Sequence, residues 1–328
     1  MLISCCSFRK ASLICAGIVC SLLFAKTANA GQWISKVLEF QRRERTFKVY
    51  CPTQLPPHPA VVLVFHGTSR PGHGADDIAA ITHFDRVAEQ NHFLVIFPEA
   101  YQGNWNDGRL NDGVASYRDG VDDIGFVDEI LDDLTVKWKI DPRKIYATGY
   151  SNGGIFVQYL GAERSARFAA IAPVCGPMAL HSFQFFHPRD PVSVLEIHGT
   201  DDPVVPYTGG AIAYEKGRVL SVEQCITAWV EHDGCERAPI RMPIAERDAN
   251  DGCTPELFAW RRGRDKTAIE LCRIIGGGHT WPGGNQFLSS FVLGNISRDF
   301  NGADLIWRFF HRHPKLFATG STASAPSL

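Results

Sequence analysis

The sequence predicts an α/β fold, a mainly parallel sheet with helices on both faces. Three observations carry this expectation. Short runs rich in Val, Ile and Leu recur along the chain, segments of helical periodicity separate them, and the runs are apolar throughout rather than alternating. Continuous apolar runs of this length suit strands covered on both faces. Strand, helix and strand in repetition imply layered packing with right-handed crossovers.

Residues 1–30 read as a secretory signal peptide. Arg9 and Lys10 close a basic start, an apolar run follows from Ala11 to Ala25, and Ala28-Asn29-Ala30 offers small residues for cleavage. The run is shorter than the roughly 20 residues a spanning helix needs. The expectation is therefore export, extracellular or periplasmic, with no stable membrane association after cleavage. Residues 31–315 read as one domain. Its strands are "AVVLVFHG" (60–67), "FLVIFPEA" (93–100), "KIYATG" (144–149), "FAAIAPV" (168–174) and "VSVLEIHG" (192–199). Between them "FDRVAEQ" (84–90), "DIGFVDEILDDLTVKW" (123–138) and "GIFVQYL" (154–160) read as helices. In the second, Phe126, Ile130, Leu131 and Leu134 recur on one face, and Asp128, Glu129, Asp132 and Asp133 fall mainly on the other. The stretch from about 205 to 275, richer in charge and cysteine, reads as an insertion or lid-like excursion. The small polar residues 316–328 read as a disordered tail.

Charge and cysteine content narrow the function. A formal net charge of −2 and the absence of a basic stripe predict no nucleic-acid partner. The short clusters from Arg42 to Arg45 and Arg261 to Arg264 read as solvated strand or turn faces. Beyond the signal stand Cys51, Cys175, Cys225, Cys235, Cys253 and Cys272, an even count that predicts disulfides in an exported chain. No CxxC pair occurs, so no structural zinc is expected. His311-x-His313 reads as a surface pair at a helix end rather than a metal site. No glycine-rich phosphate loop follows the first strand, so no nucleotide cofactor is expected.

The chemistry centres on "ATGYSNGGIF", where Ser151 stands between Gly149 and Gly153. Gly-x-Ser-x-Gly marks a nucleophile only when a strand leads in and a helix leads out, and both are predicted here. A serine hydroxyl needs a base to take its proton and a carboxylate to orient that base. In sheets of this kind the order is serine, acid, histidine. "HGTDDPVVPY" supplies Asp201 and Asp202 after one strand, and "GGGHTWPGG" supplies His279 after the apolar "CRII". His198 is a rival base, but it sits only a few residues ahead of the carboxylates it would have to meet across the site. The oxyanion would be bound by the backbone amides of Asn152 and of Thr68, the latter in the loop after an earlier strand. A general-base histidine must be neutral, so activity is expected to fall on acidification.

Further motifs join these in order: "HGT" (66–68), "WNDGR" (105–109), "VDDIGFVDEILDDL" (121–134), "GYSNGG" (149–154), "HGTDDPVVPY" (198–207), "GGGHTWPGG" (276–284) and "LIWRFFHRHP" (305–314). Together they resemble the polyhydroxybutyrate depolymerase-like esterases, a group similar to the feruloyl and acetylxylan esterases of carbohydrate esterase family 1. The resemblance implies an α/β-hydrolase fold and a secreted serine esterase that needs no cofactor. It points to Asp202 over Asp201 as the acid and places Trp105, Asn106 and Trp281 near the substrate cleft. The substrate it implies first is a polyhydroxyalkanoate-type ester or its oligomers. A feruloyl or acetylxylan ester is the alternative, followed by an acyltransferase or a non-catalytic binding protein of the same fold.

Overall fold

The computed structural model describes residues 31–213, 216–286 and 288–316. The expected signal peptide, and the expected tail from residue 317 on, lie outside the described residues. The chain opens with the hairpin β1 (Gln32–Phe40) and β2 (Arg43–Cys51), then β3 (Val61–Phe65), α1 (Gly74–Thr82), α2 (Phe84–Asn91) and β4 (Leu94–Pro98). Next come α3 (Ala115–Arg118), α4 (Asp123–Trp138), β5 (Ile145–Tyr150), α5 (Asn152–Glu163), β6 (Ala170–Val174) and β7 (Ser193–Gly199). A small ribbon of β8 (Gly210–Ala211) and β9 (Arg218–Val219) precedes α6 (Val222–Asp233), β10 (Ile240–Met242), β11 (Thr254–Trp260) and β12 (Ile269–Ile275). The short α7 (Ser290–Leu293) and α8 (Gly302–Arg312) follow.

One sheet takes the order β1-β2-β4-β3-β5-β6-β7-β12-β11-β10. From β4 to β12 its strands run parallel, and antiparallel strands close both edges. All residues of β3, β4, β6 and β7 are buried. The cause is helical cover on both sides. Val61, Leu63 and Phe65 face a core shared with α4, α5 and α6, whereas Val62 and Val64 face one shared with α1, α2 and α8. This is the α/β-hydrolase architecture. In α4 the four periodic apolar residues are all buried, each worth about 1.5–3 kcal/mol of burial. Its N-terminus is capped by Asp122, whose side chain accepts from the Gly125 amide at 2.8 Å.

Three expectations change. Residues 205–275 are not one excursion: α6 packs on the sheet, and β12 is its last parallel strand. Among the described residues of this stretch the β8–β9 ribbon stands apart, and Ile212 and Val219 join Val205 in packing against Ile155 of α5. Arg45 is not solvated. It is buried against Asp123 at 2.6 Å, with its guanidinium 4.0 Å from the Phe126 ring centre, so β2 is tied to α4 by an ion pair inside the core. The six cysteines are free thiols, and the sheet explains why. Cys51, Cys225 and Cys235 lie on one side of it and Cys175, Cys253 and Cys272 on the other, and Cys51 stands in β2, five strand spacings from the β7 strand against which α6 packs.

Within each side the spacing is also too large, since a disulfide needs Cα atoms within about 7 Å. Cys175 donates its amide to Ile197 of β7, and Cys272 pairs with the same residue from the opposite flank. That puts the two cysteines two strand spacings apart, about 10 Å. Thr254 pairs with Ile275, so Cys253 lies beyond the far end of β12 from Cys272. Cys225 and Cys235 sit within and just past α6, about 15 Å apart at the helical rise.

Candidate active site

The candidate residues gather where the parallel strands end, the usual place for a site in such sheets. Ser151 occupies the turn between β5 and α5 with φ 58° and ψ −122°, a conformation sparsely populated by residues other than glycine. The turn is sharp enough to set its neighbours against adjacent backbone. A Cβ at Gly149 would lie 2.4 Å from the Gly153 carbonyl oxygen, and one at Gly153 would lie 2.4 Å from the carbonyl oxygens of Phe65 and His66. Glycine at both positions is a steric requirement. The Ser151 amide donates to the Val174 carbonyl at 2.9 Å, which fixes the turn to β6.

His279 follows β12 on a glycine run that threads a narrow gap. A Cβ at Gly278 would meet the Leu293 carbonyl oxygen at 2.0 Å. The His279 amide donates to that carbonyl at 2.6 Å, and the Tyr150 hydroxyl donates to the His279 carbonyl at 2.6 Å. The histidine is thus pinned through both backbone groups. Its Nε2 lies 2.9 Å from Ser151 Oγ and its Nδ1 lies 2.7 Å from Asp202 Oδ2. Asp202 Oδ1 accepts the amides of Val204 and Val205, both at 2.8 Å. Burial alone would push the Asp202 carboxyl up, but His279 and His198 hold it well below the usual carboxylate range. Asp201 turns outward, exposed and hydrogen-bonded to Thr200. His198 lies fully buried behind Asp202, with Nε2 3.3 Å from Asp202 Oδ2.

Asn152 begins α5, so its amide points out of the helix N-terminus toward the space beside Ser151. Thr68 follows Gly67, whose position is so close that an added Cβ would lie 3.1 Å from Ser151 Cβ. Both Asn152 and Thr68 line the same cavity as Ser151 and His279, a space of about 950 Å³. Much of its lining is apolar, with Ile155, Val204, Leu288, Val292 and Leu293.

Three residues expected at the substrate cleft divide. Trp281 lines the cavity. Trp105 does not: it is buried, stacked on Phe156 at 5.1 Å, and donates its indole N–H to the His66 carbonyl at 2.9 Å. Asn106 donates its amide to Asp123 and its side-chain N–H to the Val121 carbonyl, and also stays outside the cavity lining. Both hold the loop after β4 in place, the packing role that large buried aromatics and loop amides commonly have. His66 accepts the Ala100 amide at Nε2 and contacts the Gly67 carbonyl at Nδ1, and burial keeps its imidazole from protonating at the ordinary pH.

Residues that the sequence reading did not assign complete the site. Asp107 accepts from the Asn152 side chain and from Arg109, and Arg109 reaches on to the Lys216 carbonyl at 2.9 Å. Their signal was present in "WNDGR", where Asp107 and Arg109 stand two apart beside the motif tryptophan. Cys175, His198 and Asp202 lie within 4.8 Å of one another. They do not suit a metal, because His198 Nε2 is committed as a donor to the Val205 carbonyl at 3.0 Å and Asp202 is already engaged on both oxygens. His313 is no surface ligand either; it packs on Phe309, ring centres 4.5 Å apart.

A strained serine at a strand-to-helix turn, a histidine in reach of it and an ionised carboxylate behind the histidine define a serine hydrolase site on an α/β-hydrolase fold. No protein-family model matches the chain. It is 25% identical over 280 residues to the protein named "Putative esterase NocK" of Nocardia uniformis subsp. tsuyamanensis, covering 80% of this chain and 78% of that one. It is 29% identical over 181 residues to feruloyl esterase B of Piromyces equi, covering 53% of this chain but only 32% of that protein. The acetyl xylan esterase of Aspergillus awamori superposes with a TM-score of 0.57 at 16% identity, covering 85% of this chain and 99% of that one, a likeness of fold. With the site geometry, these likenesses make the chain a serine esterase, a carboxylic ester hydrolase of α/β-hydrolase type.

Proposed function

We propose that the protein hydrolyses feruloyl or acetyl esters carried on plant polysaccharide, through an acyl-serine at Ser151. The observation that carries the chemistry is the hydrogen-bonded line from Asp202 through His279 to Ser151 in the cavity wall. His279 Nε2 takes the Ser151 proton as Oγ bonds to the ester carbonyl carbon, while Asp202 holds the Nδ1–H tautomer. The amides of Asn152 and Thr68 receive the oxyanion. The tetrahedral centre collapses, His279 returns the proton to the departing alcohol, and water repeats the sequence to release the acid.

The substrate class rests on the relatives, whose names include feruloyl and acetylxylan esterases. They favour a polysaccharide ester over the polyhydroxyalkanoate ester that the motif resemblance put first. The apolar lining of the cavity suits the acyl part, and the export expected from residues 1–30 would suit a substrate too large to enter a cell.

The test compares the chain from Gly31 with its Ser151→Ala variant on methyl ferulate, acetylated xylan, a hydroxybutyrate oligomer and a short nitrophenyl ester. The expected result is cleavage of methyl ferulate or acetylated xylan in preference to the oligomer, with a loss of at least about 10⁴-fold in the variant. Preference for the oligomer overturns the substrate class. Equal rates in both proteins overturn Ser151 as nucleophile.

A further inference from the structure

Two histidines share the Asp202 carboxylate, and only one of them faces the serine. The other, His198, is fully buried in β7. Its Nε2 lies 3.0 Å from the Val205 carbonyl oxygen and 3.3 Å from Asp202 Oδ2, and its Nδ1 faces Glu196 Oε1 at 3.4 Å. We propose that His198 is held as an imidazolium between Glu196 and Asp202, and that this internal cation sets the pH range in which His279 works as a base. The second half rests on the assignment of Ser151, His279 and Asp202 proposed above.

The argument begins at the far end of the chain of contacts. An indole N–H can only donate, and Trp229 Nε1 lies 2.8 Å from Gln158 Oε1. That fixes the orientation of the Gln158 amide, so its Nε2 donates to Glu196 Oε2 at 2.8 Å. Glu196 is therefore an acceptor on that oxygen. At the near end the Val205 carbonyl can only accept, so His198 Nε2 carries a proton. Nδ1 then faces a carboxylate oxygen, and a proton there gives both ring nitrogens an acceptor. With Glu196 ionised, a neutral ring with a bare Nδ1 would set a lone pair against Oε1 in a fully buried site; the competing arrangement puts the proton on Oε1 instead, toward which burial pushes the Glu196 carboxyl and against which His198 acts.

Burial acts against the charged ring, but Asp202 and Glu196 outweigh it and push the His198 imidazole up to about 10. The other titratable groups facing it are Cys175, close by in the loop after β6, and Tyr207, whose ring centre lies 5.7 Å away. Burial pushes both of those up, so each stays neutral and adds no negative charge beside the ring. A fixed positive charge beside Asp202 weakens the hold of that carboxylate on a second positive charge at His279. Activity is then retained to lower pH than Asp202 alone would allow.

The imidazole nitrogens report the charge state directly. In ¹⁵N-labelled Ser151→Ala protein at about pH 8, where a free histidine is neutral, His198 is expected to show both nitrogens protonated. A single protonated nitrogen overturns the proposal. In the active enzyme, His198→Gln keeps an N–H for the Val205 carbonyl but carries no charge. The acid limb of its kcat/KM profile is expected to move up by roughly one pH unit. A limb that only loses height, with its midpoint unmoved, overturns the tuning role. Should His198→Gln fail to fold, Glu196→Gln removes the carboxylate and leaves one amide oxygen for the two donors, His198 Nδ1–H and the Gln158 amide. The His198 titration followed by ¹⁵N is then expected at lower pH than in the parent, and an unmoved titration counts against the proposal. Hydrolysis by Ser151→Ala at the parent rate would instead overturn the triad assignment, a different result in a different measurement.

Discussion

The side chain of Asn152 does work that its position after Ser151 does not announce. Its Oδ1 accepts the Trp105 amide at 2.8 Å, and its Nδ2 donates to the Trp105 carbonyl and to Asp107. The residue that offers its amide beside Ser151 is thereby clamped on the side away from it. Asn152→Ala keeps the amide and frees the clamp, so kcat is expected to fall roughly 10²-fold, the cost of a small misplacement, with KM little changed. Steady-state kinetics on a nitrophenyl ester checks this, and a change confined to KM would assign Asn152 to substrate binding. At this scale Ser151 and His279 were legible because each follows a predicted strand in a set order, whereas that order left Asp201 and Asp202 open and only the family resemblance pointed to Asp202. Asp107 and Arg109 were not, because two charged residues in a loop look solvated until their burial is known. Trp105 and Asn106 misled for the reverse reason: they belong to a motif near the site yet serve its scaffold.

Central elements were legible and edge elements were not, and the difference lies in how each is covered. β3 and β4 are buried on both faces and spell continuous apolar runs, while β1 reads "QWISKVLEF", with every second side chain in solvent. Polar residues on an edge hairpin look like a loop without knowledge of the partner strand. The same sheet decides the cysteines. An even count in an exported chain argues for pairing, but sequence does not show which thiols the sheet keeps apart. For the chain from Gly31, unfolding in guanidinium without reductant is expected to release six thiols to a colorimetric reagent. The folded protein should react slowly, since only Cys51 among the six is not buried. A titre of four or fewer after unfolding would mean that a disulfide forms and that the sheet geometry is wrong at that pair.

Across the whole molecule, buried and half-buried histidines of opposite behaviour contribute to the response to pH, and nothing in the composition separates them. His66 and His313 stay neutral in the fold because burial disfavours their charge; for His313 the value falls from 6.5 to about 4. As pH falls below 6.5 the unfolded chain takes up protons at these residues that the folded chain refuses, so stability is present above 6.5 and is lost through about pH 4. His198 behaves the other way. Its folded value of about 10 lies above the ordinary 6.5, so its contribution is complete below 6.5 and fades as pH rises toward 10. Asp202, held below the usual carboxylate range, adds a further loss at the acid extreme. The two limbs meet near neutrality, and a melting temperature measured across this range should trace a dome. His313→Gln keeps an N–H for the Phe309 carbonyl, which His313 contacts at 2.8 Å, and removes the titration. Its acid limb is expected to be shallower than the parent's while the alkaline limb is unchanged. Parallel acid limbs in the two proteins would show that His313 protonates as readily in the fold as out of it, and that the acid response originates elsewhere.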